Sequence, residues 1–330
     1  MGAYIVRRVL LMLLMLFLVT VAVFILFALV PTDPAALTCG KSCNPQIIEA
    51  NRERLGLDQS LLMQYWNWFR GLFVGRTYAE GTPVEFSCPA PALGYSFRKG
   101  ECVTELIASR LPVSIWLAAG AFVIWMVVGI LAGIYAALRR GKWQDRTLVG
   151  LSLIGYSFPT FFIGLLLLFF VVIRWNLLPY PNYVPPSEDP VQWFQTMILP
   201  WITVAMVFAA FYTRLTRTQM LETLGEDYIR TARAKGLPER TVIRKHAFRA
   251  GLTPLVTAAG LDLAGLLGGA VITESVFQLP GVGRLAIDSV TDYDLPIIVG
   301  TVVVVAVFVI VANLIVDLLY AAIDPRVRLA

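Results

Sequence analysis

Long runs without charge constrain the fold of this chain more than any other feature. Residues 9–30 contain no charged side chain, and charged residues make up only 15% of the sequence, against roughly 25% in soluble domains. A bilayer core needs about 20 apolar residues per helix, and the first run exceeds the roughly 7–15 residues of a signal-peptide core. We therefore predict an all-α integral membrane protein with six transmembrane helices at 9–30, 112–138, 148–172, 197–213, 252–277 and 295–320.

The distribution of positive charge predicts the orientation of these helices. Lys and Arg collect on the cytoplasmic side of a membrane protein, whereas loops longer than about 60 residues do not follow this rule. Outside the loop 31–110, nearly all basic residues fall on the side that holds both termini. We expect a multi-pass plasma (inner) membrane protein with cytoplasmic termini. The same topology explains the net charge of +5, so no nucleic-acid partner is expected.

Four cysteines lie in the long loop that the charges place outside the cytoplasm: Cys39, Cys43, Cys88 and Cys102. Disulfides form in oxidising compartments and rarely in the cytosol, and four cysteines allow three pairings. We favour the local pairs Cys39–Cys43 and Cys88–Cys102. A metal site is the competing interpretation, but the loop contains no His and its spacing is not that of a zinc motif.

The loop 31–110 is long enough to form an extracytoplasmic lobe between the first helix, within 1–30, and the remaining five helices, within 111–330. Residues 46–55 predict a helix that ends at Gly56, and Asp58 is the expected cap of a second helix with an aromatic face. This face either binds a ligand or packs on the bundle and membrane interface, which we prefer. Residues 75–100 show no period and are expected to be a loop.

Polar residues inside the predicted spans mark a candidate substrate pathway. Pro159 is expected to kink the third span beside Ser157, and the fifth span contains Asp262, Gly265 and Gly269. A charge inside a bilayer costs at least about 2.5–3.5 kcal/mol, so it faces a cavity or a partner. Asp262 therefore either lines a polar pathway or pairs with a hydroxyl or amide on a neighbouring helix.

Glycine pairs and a second carboxylate complete the intramembrane pattern. Gly129 with Gly133, and Gly265 with Gly269, are spaced four residues apart, which allows two helices to approach closely. Glu274 is expected near the outer membrane boundary, as a hydrated carboxylate.

The cytoplasmic loop 214–250 has the clearest local pattern in the chain. Residues 227–235 predict a short helix with acids at its start and bases at its end, and Gly236 is the expected stop. Pro238 opens a second predicted helix over 238–248. Such a basic segment binds anionic membrane lipid or docks a cytoplasmic protein, and charge alone leaves both possibilities open.

The same loop resembles the EAA loop, which is the coupling signature of ABC-importer permeases, and more closely the first permease subunit of the dipeptide/oligopeptide/nickel branch. Further matching motifs occur at 54–58, 155–159, 267–271, 276–277, 280–283 and 324–326. Arg230-Thr231-Ala232 stands where the general signature has Glu-Ala-Ala, and Asp262 replaces an uncharged polar residue. The resemblance assigns ATPase coupling to Asp227, Tyr228, Arg230, Thr231, Ala232, Arg233, Ala234, Lys235, Gly236 and Leu237.

The resemblance implies a type I ABC-importer permease that works with a second permease subunit, two ATP-binding subunits and an extracytoplasmic solute-binding protein. ATP and Mg would bind the partner ATPases, because the chain has no Gly-x-x-x-x-Gly-Lys-Ser/Thr loop. With His246 as its single histidine, catalysis by this chain is not expected. The implied substrates are di- and oligopeptides, with nickel or oligosaccharides as alternatives. A secondary transporter or a channel is the rival function.

Overall fold

Helices form most of the chain, as the sequence predicts. The structure is a computed structural model that describes residues 2–28, 35, 44–78, 85–267 and 270–323. In chain order the helices are α1 (Gly2–Ala28), α2 (Pro45–Leu55), α3 (Leu61–Val74), α4 (Val103–Leu138), α5 (Trp143–Ser157), α6 (Thr160–Leu167), α7 (Pro190–Gly225), α8 (Asp227–Ala234), α9 (Glu239–Thr241), α10 (Phe248–Leu267), α11 (Val271–Val276), α12 (Val282–Thr291) and α13 (Leu295–Ile323), with π-helical segments π1 (Leu168–Arg174) and π2 (Val242–Ala247).

Four helices within the described ranges are long and apolar enough to cross a membrane, namely α1, α4, α7 and α13. The predicted third span is a broken pair, in which α5 and the α6–π1 segment meet at 99°. The predicted fifth span is also interrupted, because Ala270 leaves the helical conformation, with φ −69° and ψ 49°, before the separate short helix α11 begins. The all-α membrane class is confirmed, and two of the six predicted spans are discontinuous.

The break in the third span lies at Pro159, where the sequence predicts a kink. α5 ends at Ser157, and Phe158 adopts an extended backbone with φ −88° and ψ 134°. A residue before proline is pushed out of the helical region because the proline ring crowds its backbone. Pro159 then precedes the first turn of α6, where its missing N–H breaks no helical hydrogen bond.

Glycines bring α4 and α7 into close contact along their length. A Cβ atom at Gly129 would lie 2.6 Å from the Cβ of Tyr212, and one at Gly133 would lie 2.5 Å from the Cβ of Thr216. Nearer the other end of α4, the ring of Trp201 occupies the space beside Gly120. The prediction of close packing at Gly129 and Gly133 is therefore confirmed, with α7 as the partner helix.

The predicted loop over 75–100 is wrong, because this segment contains short strands. β1 (Arg76–Tyr78) pairs antiparallel with β2 (Phe86–Cys88), and β3 (Tyr95–Ser96) pairs with β4 (Glu101–Cys102). A disulfide joins Cys88 to Cys102, the pairing that the sequence analysis favours, whereas Cys39 and Cys43 lie outside the described residues. Strands this short leave too few residues for an alternating pattern to appear in the sequence.

The two helices that precede these strands begin and end at identifiable caps. Asn44 accepts a hydrogen bond from the Ile47 N–H at the start of α2, and Gly56 ends this helix at φ 67°, as predicted. The predicted cap at Asp58 is wrong. Ser60 caps α3 instead, by accepting a hydrogen bond from the Met63 N–H.

The strand-containing segment is attached to the bundle by polar and apolar contacts. The Trp68 indole donates to the Leu93 carbonyl over 3.0 Å, and Ser96 donates to the carboxylate of Asp294, just before α13. Arg98 forms a salt bridge of 3.2 Å with Asp292. Trp68 also packs in an apolar cluster with residues of α4, α12 and α13. Of the predicted aromatic face of α3, Tyr65, Phe69 and Leu72 pack against this cluster, whereas Leu62 and Trp66 are exposed.

Glu274 is fully buried, so the expectation of a hydrated carboxylate is wrong. Its oxygens accept hydrogen bonds from the Ser114 hydroxyl at 2.7 Å and from the Arg284 N–H at 2.9 Å. Ser114 also accepts a hydrogen bond from the Val282 N–H. The carboxylate thus lies at the N-terminus of α12, where free N–H groups and the helix dipole stabilise negative charge. Gly281 permits this approach, because its missing Cβ leaves room for the Glu274 carboxylate.

Replacing Gly133 with alanine is expected to lower the free energy of unfolding by about 1–3 kcal/mol, since overpacking forces the backbones apart. The new methyl group would also lie 2.7 Å from the Thr213 carbonyl oxygen, which cannot rotate away. Unfolding in detergent by titration with sodium dodecyl sulfate, followed by tryptophan fluorescence, measures the change. Gly150→Ala is the matched control, because no atom lies within 4 Å of its Cβ position. Equal stability of the two variants would contradict the packing role.

Candidate functional site

The short helix α8 lies at the end of the long helix α7 and is separated from it only by Glu226. The Glu226 backbone is extended, with φ −70° and ψ 149°, so the chain changes direction between the two helices. α8 ends at Ala234, one residue before the end that the sequence predicts. The loop signature that the sequence analysis singles out therefore forms a separate helical element.

Two side chains anchor α8 to the bundle. Ile229 is fully buried and Ala232 is nearly so. They pack in one apolar cluster, here called the α8 anchor cluster, with residues from α4, α7 and π2. Its other buried members are Ala137, Met220, Val242 and Ala247. Any displacement of α8 must therefore either move these helix ends or break the cluster.

The remaining residues of the predicted coupling set form the exposed surface of α8 and its C-terminal turn. Asp227 and Arg230 are widely exposed and form a local salt bridge of 3.4 Å. Ala232 is the one member of the set that the structure buries. The exposed members are Asp227, Tyr228, Arg230, Thr231, Arg233, Ala234, Lys235, Gly236 and Leu237.

Gly236 ends α8 in a conformation that favours glycine. Its φ is 76°, its N–H donates to the Arg233 carbonyl, and the Leu237 N–H donates back to the Ala232 carbonyl. These two bonds form a Schellman motif, which satisfies the last carbonyls of a helix. No atom lies within 4 Å of the Cβ position at Gly236, so backbone conformation and not crowding selects glycine there.

A salt bridge joins α8 to the segment that follows it. The Arg233 guanidinium donates to both oxygens of Glu239, at 2.7 and 3.2 Å. These hydrogen bonds lower the pKa of the Glu239 carboxyl and raise the pKa of the Arg233 guanidinium. Two parallel hydrogen bonds fix direction as well as distance, so the pair orients α8 relative to the start of α9.

The predicted helix over 238–248 begins after Pro238 as expected, but it does not end at residue 248. Residues 239–267 form one helical run in which α9, π2 and α10 follow each other without a break. The run also contains Pro254 within α10. α8 is therefore connected through Gly236 and Pro238 to a helix that extends into the predicted fifth span.

A second salt bridge fastens the turn between α4 and α5 to α7. Asp145 is almost completely buried, and Arg217 donates to its two oxygens at 2.6 and 2.8 Å. The Gly141 N–H donates to the same carboxylate at 2.9 Å. The sequence analysis missed this pair, because nothing in the sequence links two residues so far apart.

The candidate pathway residues have different environments. Ser157 and Pro159 are exposed at the break between α5 and α6, and the Ser157 hydroxyl donates to the Leu153 carbonyl of its own helix. Gly265 is exposed on α10, and no atom of the described residues lies within 4 Å of its Cβ position, so the predicted close helix approach is not found there. Gly269 lies outside the described residues. The hydrogen bond of the Ser157 hydroxyl stays within α5, whereas the hydrogen bond of Asp262 is made to α7.

Asp262 accepts a hydrogen bond of 2.7 Å from the hydroxyl of Tyr212, which is fully buried on α7. At 3.6 residues per turn, Asp262 lies on the same side of α10 as Leu255, Ala259 and Leu266. These three residues pack in the main apolar core. The carboxylate thus connects α10 to α7, as in the second interpretation offered by the sequence.

Replacing Ile229 with alanine is expected to release α8 from the bundle, because truncation of a buried isoleucine costs about 2–5 kcal/mol of packing. Limited trypsin digestion of the purified full chain measures this, since α8 contains Arg230 and Arg233. Cleavage in α8 should become several-fold faster than in the parent protein. Thr231→Ala, on the exposed side, should leave the rate unchanged. Equal cleavage of both variants would contradict the anchoring role.

Known proteins resemble this chain over its whole length. Residues 129–329 match the family model for the binding-protein-dependent transport system inner membrane component, and residues 1–118 match the model for the N-terminal part of such membrane components. A Brucella abortus protein whose name assigns it to a peptide transport system as a permease is 38% identical over 330 residues, covering 99% of both chains. The glutathione transport system permease protein GsiC of Escherichia coli K12 is 37% identical over 327 residues, covering 98% of both.

A solved structure shows the same fold. The MetNI methionine ABC transporter, in an inward-facing conformation, aligns with a TM-score of 0.52 at 20% identity, over 67% of this chain and 97% of the other. Because the family model covers more than half of the sequence and the relatives align end to end, this chain belongs to the binding-protein-dependent transport system inner membrane components, a family of transport permeases.

Proposed function

We propose that this chain and a second permease subunit together form the membrane pathway of an ATP-driven importer for di- and oligopeptides. The proposal rests on α8, which is anchored by two buried residues and exposes a charged surface. This surface suits a docking contact with an ATPase better than a contact with lipid. Its exposed part mixes Asp227 with Arg230 and Arg233, whereas a lipid-binding segment would present basic residues alone to anionic headgroups.

Two ATP-binding subunits are the proposed source of energy. They would hold ATP and Mg, and this chain would act without catalysing a reaction itself. Its sequence contains no phosphate-binding Gly-x-x-x-x-Gly-Lys-Ser/Thr loop. The coupling residues on α8, from Asp227 to Leu237, would then contact an ATPase surface in the cytoplasm.

The anchor cluster and the Arg233–Glu239 pair suggest how force would travel. When the ATPase dimer closes, α8 would move as a rigid body, since it is packed against α7 and π2 and its salt bridge to Glu239 fixes its direction relative to α9. The helical run from α9 to α10 would follow it. Rigid movement of packed helices about a substrate site is the usual form of alternating access.

The orientation of the chain follows from the same proposal. Both termini and α8 would lie in the cytoplasm, where the excess of basic residues predicts them. The segment with the Cys88–Cys102 disulfide would lie outside, facing the solute-binding protein, in a compartment where disulfides persist.

Peptides are the proposed substrates because both relatives point to this class. The Brucella abortus relative is named for peptide transport and the Escherichia coli relative for glutathione, which is itself a tripeptide. The solute-binding protein would set the selectivity among peptides.

Uptake by the assembled transporter tests the proposal. The full chain, purified with the subunits that accompany it and placed in liposomes, should accumulate a labelled dipeptide only when ATP and the binding protein are supplied. A matched preparation with a non-hydrolysable ATP analogue should show no accumulation. Uptake driven by an ion gradient without ATP would favour a secondary transporter, and uptake of nickel or an oligosaccharide alone would refute the peptide class.

Replacing Gly236 with proline is expected to abolish ATP-driven uptake while the amount of protein in the membrane stays unchanged. Proline fixes φ near about −65° and has no N–H, whereas Gly236 has φ 76° and donates to Arg233. Gly236→Asn is the matched control, because asparagine tolerates the left-handed region, and it should retain most of the uptake. Normal uptake by the proline variant would refute the coupling role of α8.

A further inference from the structure

The turn between α4 and α5 concentrates positive charge. Four exposed bases, here called the turn cluster, lie within residues 139–146: Arg139, Arg140, Lys142 and Arg146. None of them forms a salt bridge with a residue that the structure describes, and Arg139 lies over the ring of Tyr135 at 5.9 Å. Four or more bases directly after a membrane-spanning helix are typical of a binding site for anionic lipid.

The one acid of this turn is already paired and buried. Asp145 is the only acidic residue of the sequence between Glu105 and Glu188. It is almost completely buried, and Arg217 donates to both of its oxygens. The exposed surface of the turn is therefore purely basic, whereas the exposed surface of α8 mixes acids and bases. This difference favours lipid headgroups at the turn and a protein at α8.

Two charge-free stretches of sequence place the turn at the membrane surface. Residues 111–138 contain no charged side chain, and neither do residues 147–173. At about 1.5 Å per residue, the first stretch is about 42 Å long within the continuous helix α4. This length exceeds a bilayer core of about 30 Å. Arg110 and Arg139, which flank the stretch, therefore lie at opposite surfaces of the membrane.

The exposed side chains of α4 and α5 change from apolar to basic at this turn. Leu131 and Leu138 are exposed on α4, and Leu151 and Ile154 are exposed on α5. Between them, Trp143 is 72% exposed at the start of α5. Tryptophan is enriched at the level of the headgroups, next to the acyl chains. The turn cluster thus continues an apolar surface that suits lipid, at the position where phosphate groups begin.

Backbone hydrogen bonds hold the turn in one conformation. The Gly141 N–H donates to the Asp145 carboxylate at 2.9 Å, and the Lys142 N–H donates to the Arg139 carbonyl at 2.9 Å. Gly141 has φ 78°, a conformation that favours glycine. A surface that is already ordered loses less conformational entropy when it binds a ligand. The backbone of the turn is therefore prepared for binding.

We propose that the turn cluster binds the headgroup phosphate of an anionic phospholipid at the membrane surface. Arginine matches the geometry of phosphate with two parallel hydrogen bonds, and lysine adds a point charge. Because Arg217 binds Asp145 in the same turn, the lipid would be linked to α7, the helix that leads into α8. This inference goes beyond the proposed function and does not depend on the transported substrate.

Native mass spectrometry of the full chain with its accompanying subunits tests the proposal. The complex in mild detergent is titrated with phosphatidylglycerol, or with phosphatidylcholine of the same acyl chains, and the apparent affinity of each lipid is measured. The neutral variant combines Arg139→Gln, Arg140→Gln, Lys142→Gln and Arg146→Gln. The control variant combines Arg139→Lys, Arg140→Lys and Arg146→Lys, which keeps the charge. A milder variant, with Lys142→Gln and Arg146→Gln alone, serves if the neutral variant does not assemble.

The parent and the control should bind phosphatidylglycerol several-fold more tightly than phosphatidylcholine. The neutral and milder variants should bind phosphatidylglycerol at least about five-fold more weakly than the parent, the effect expected from one base near a headgroup. Equal affinity of the parent for both lipids, or unchanged affinity in these variants, would overturn the proposal. Loss of accompanying subunits from the neutral variant while it still binds phosphatidylglycerol like the parent would indicate a protein contact, and would also overturn it. Peptide uptake does not enter the measurement, so a failure here is distinct from a failure of the proposed function.

Discussion

The close packing of α4 on α7 is the constraint on which the rest of the structure depends. At Gly129 and Gly133 the two helices approach so closely that a single methyl group would not fit between them. Beyond this contact, the helix ends converge, and Ala137 and Met220 form one side of the anchor cluster around Ile229. The position of α8 is thus a consequence of helix packing deep in the bundle.

Buried polar groups link neighbouring helices by hydrogen bonds in this chain. Glu274 connects α11, α4 and the start of α12 through Ser114, and Asp262 connects α10 to Tyr212 on α7. A buried polar group without a partner costs several kcal/mol where water is absent. Each of these hydrogen bonds therefore favours one arrangement of the helices that it links. Any transport motion would have to preserve these bonds or exchange them for others.

The sequence analysis was most accurate where local chemistry decides structure. The caps at Gly56 and Gly236, the break at Pro159 and the boundaries of α8 follow from backbone preferences of single residues. Apart from the cap of α3, which Ser60 provides in place of Asp58, it was wrong where distant residues decide. The short strands depend on the docking of their segment, and the burial of Glu274 depends on a helix N-terminus that follows it in the chain.

The sequence by itself determined the membrane class, the short helix α8 with its glycine stop and the discontinuity of the third span, because apolar run length, helix capping and proline sterics act within a few residues. Only the tertiary structure decided which face of α8 is buried, what Asp262 and Arg217 bind and where α3 lies relative to α1. These features depend on contacts between segments far apart in the chain, whose geometry follows from packing and not from local pattern.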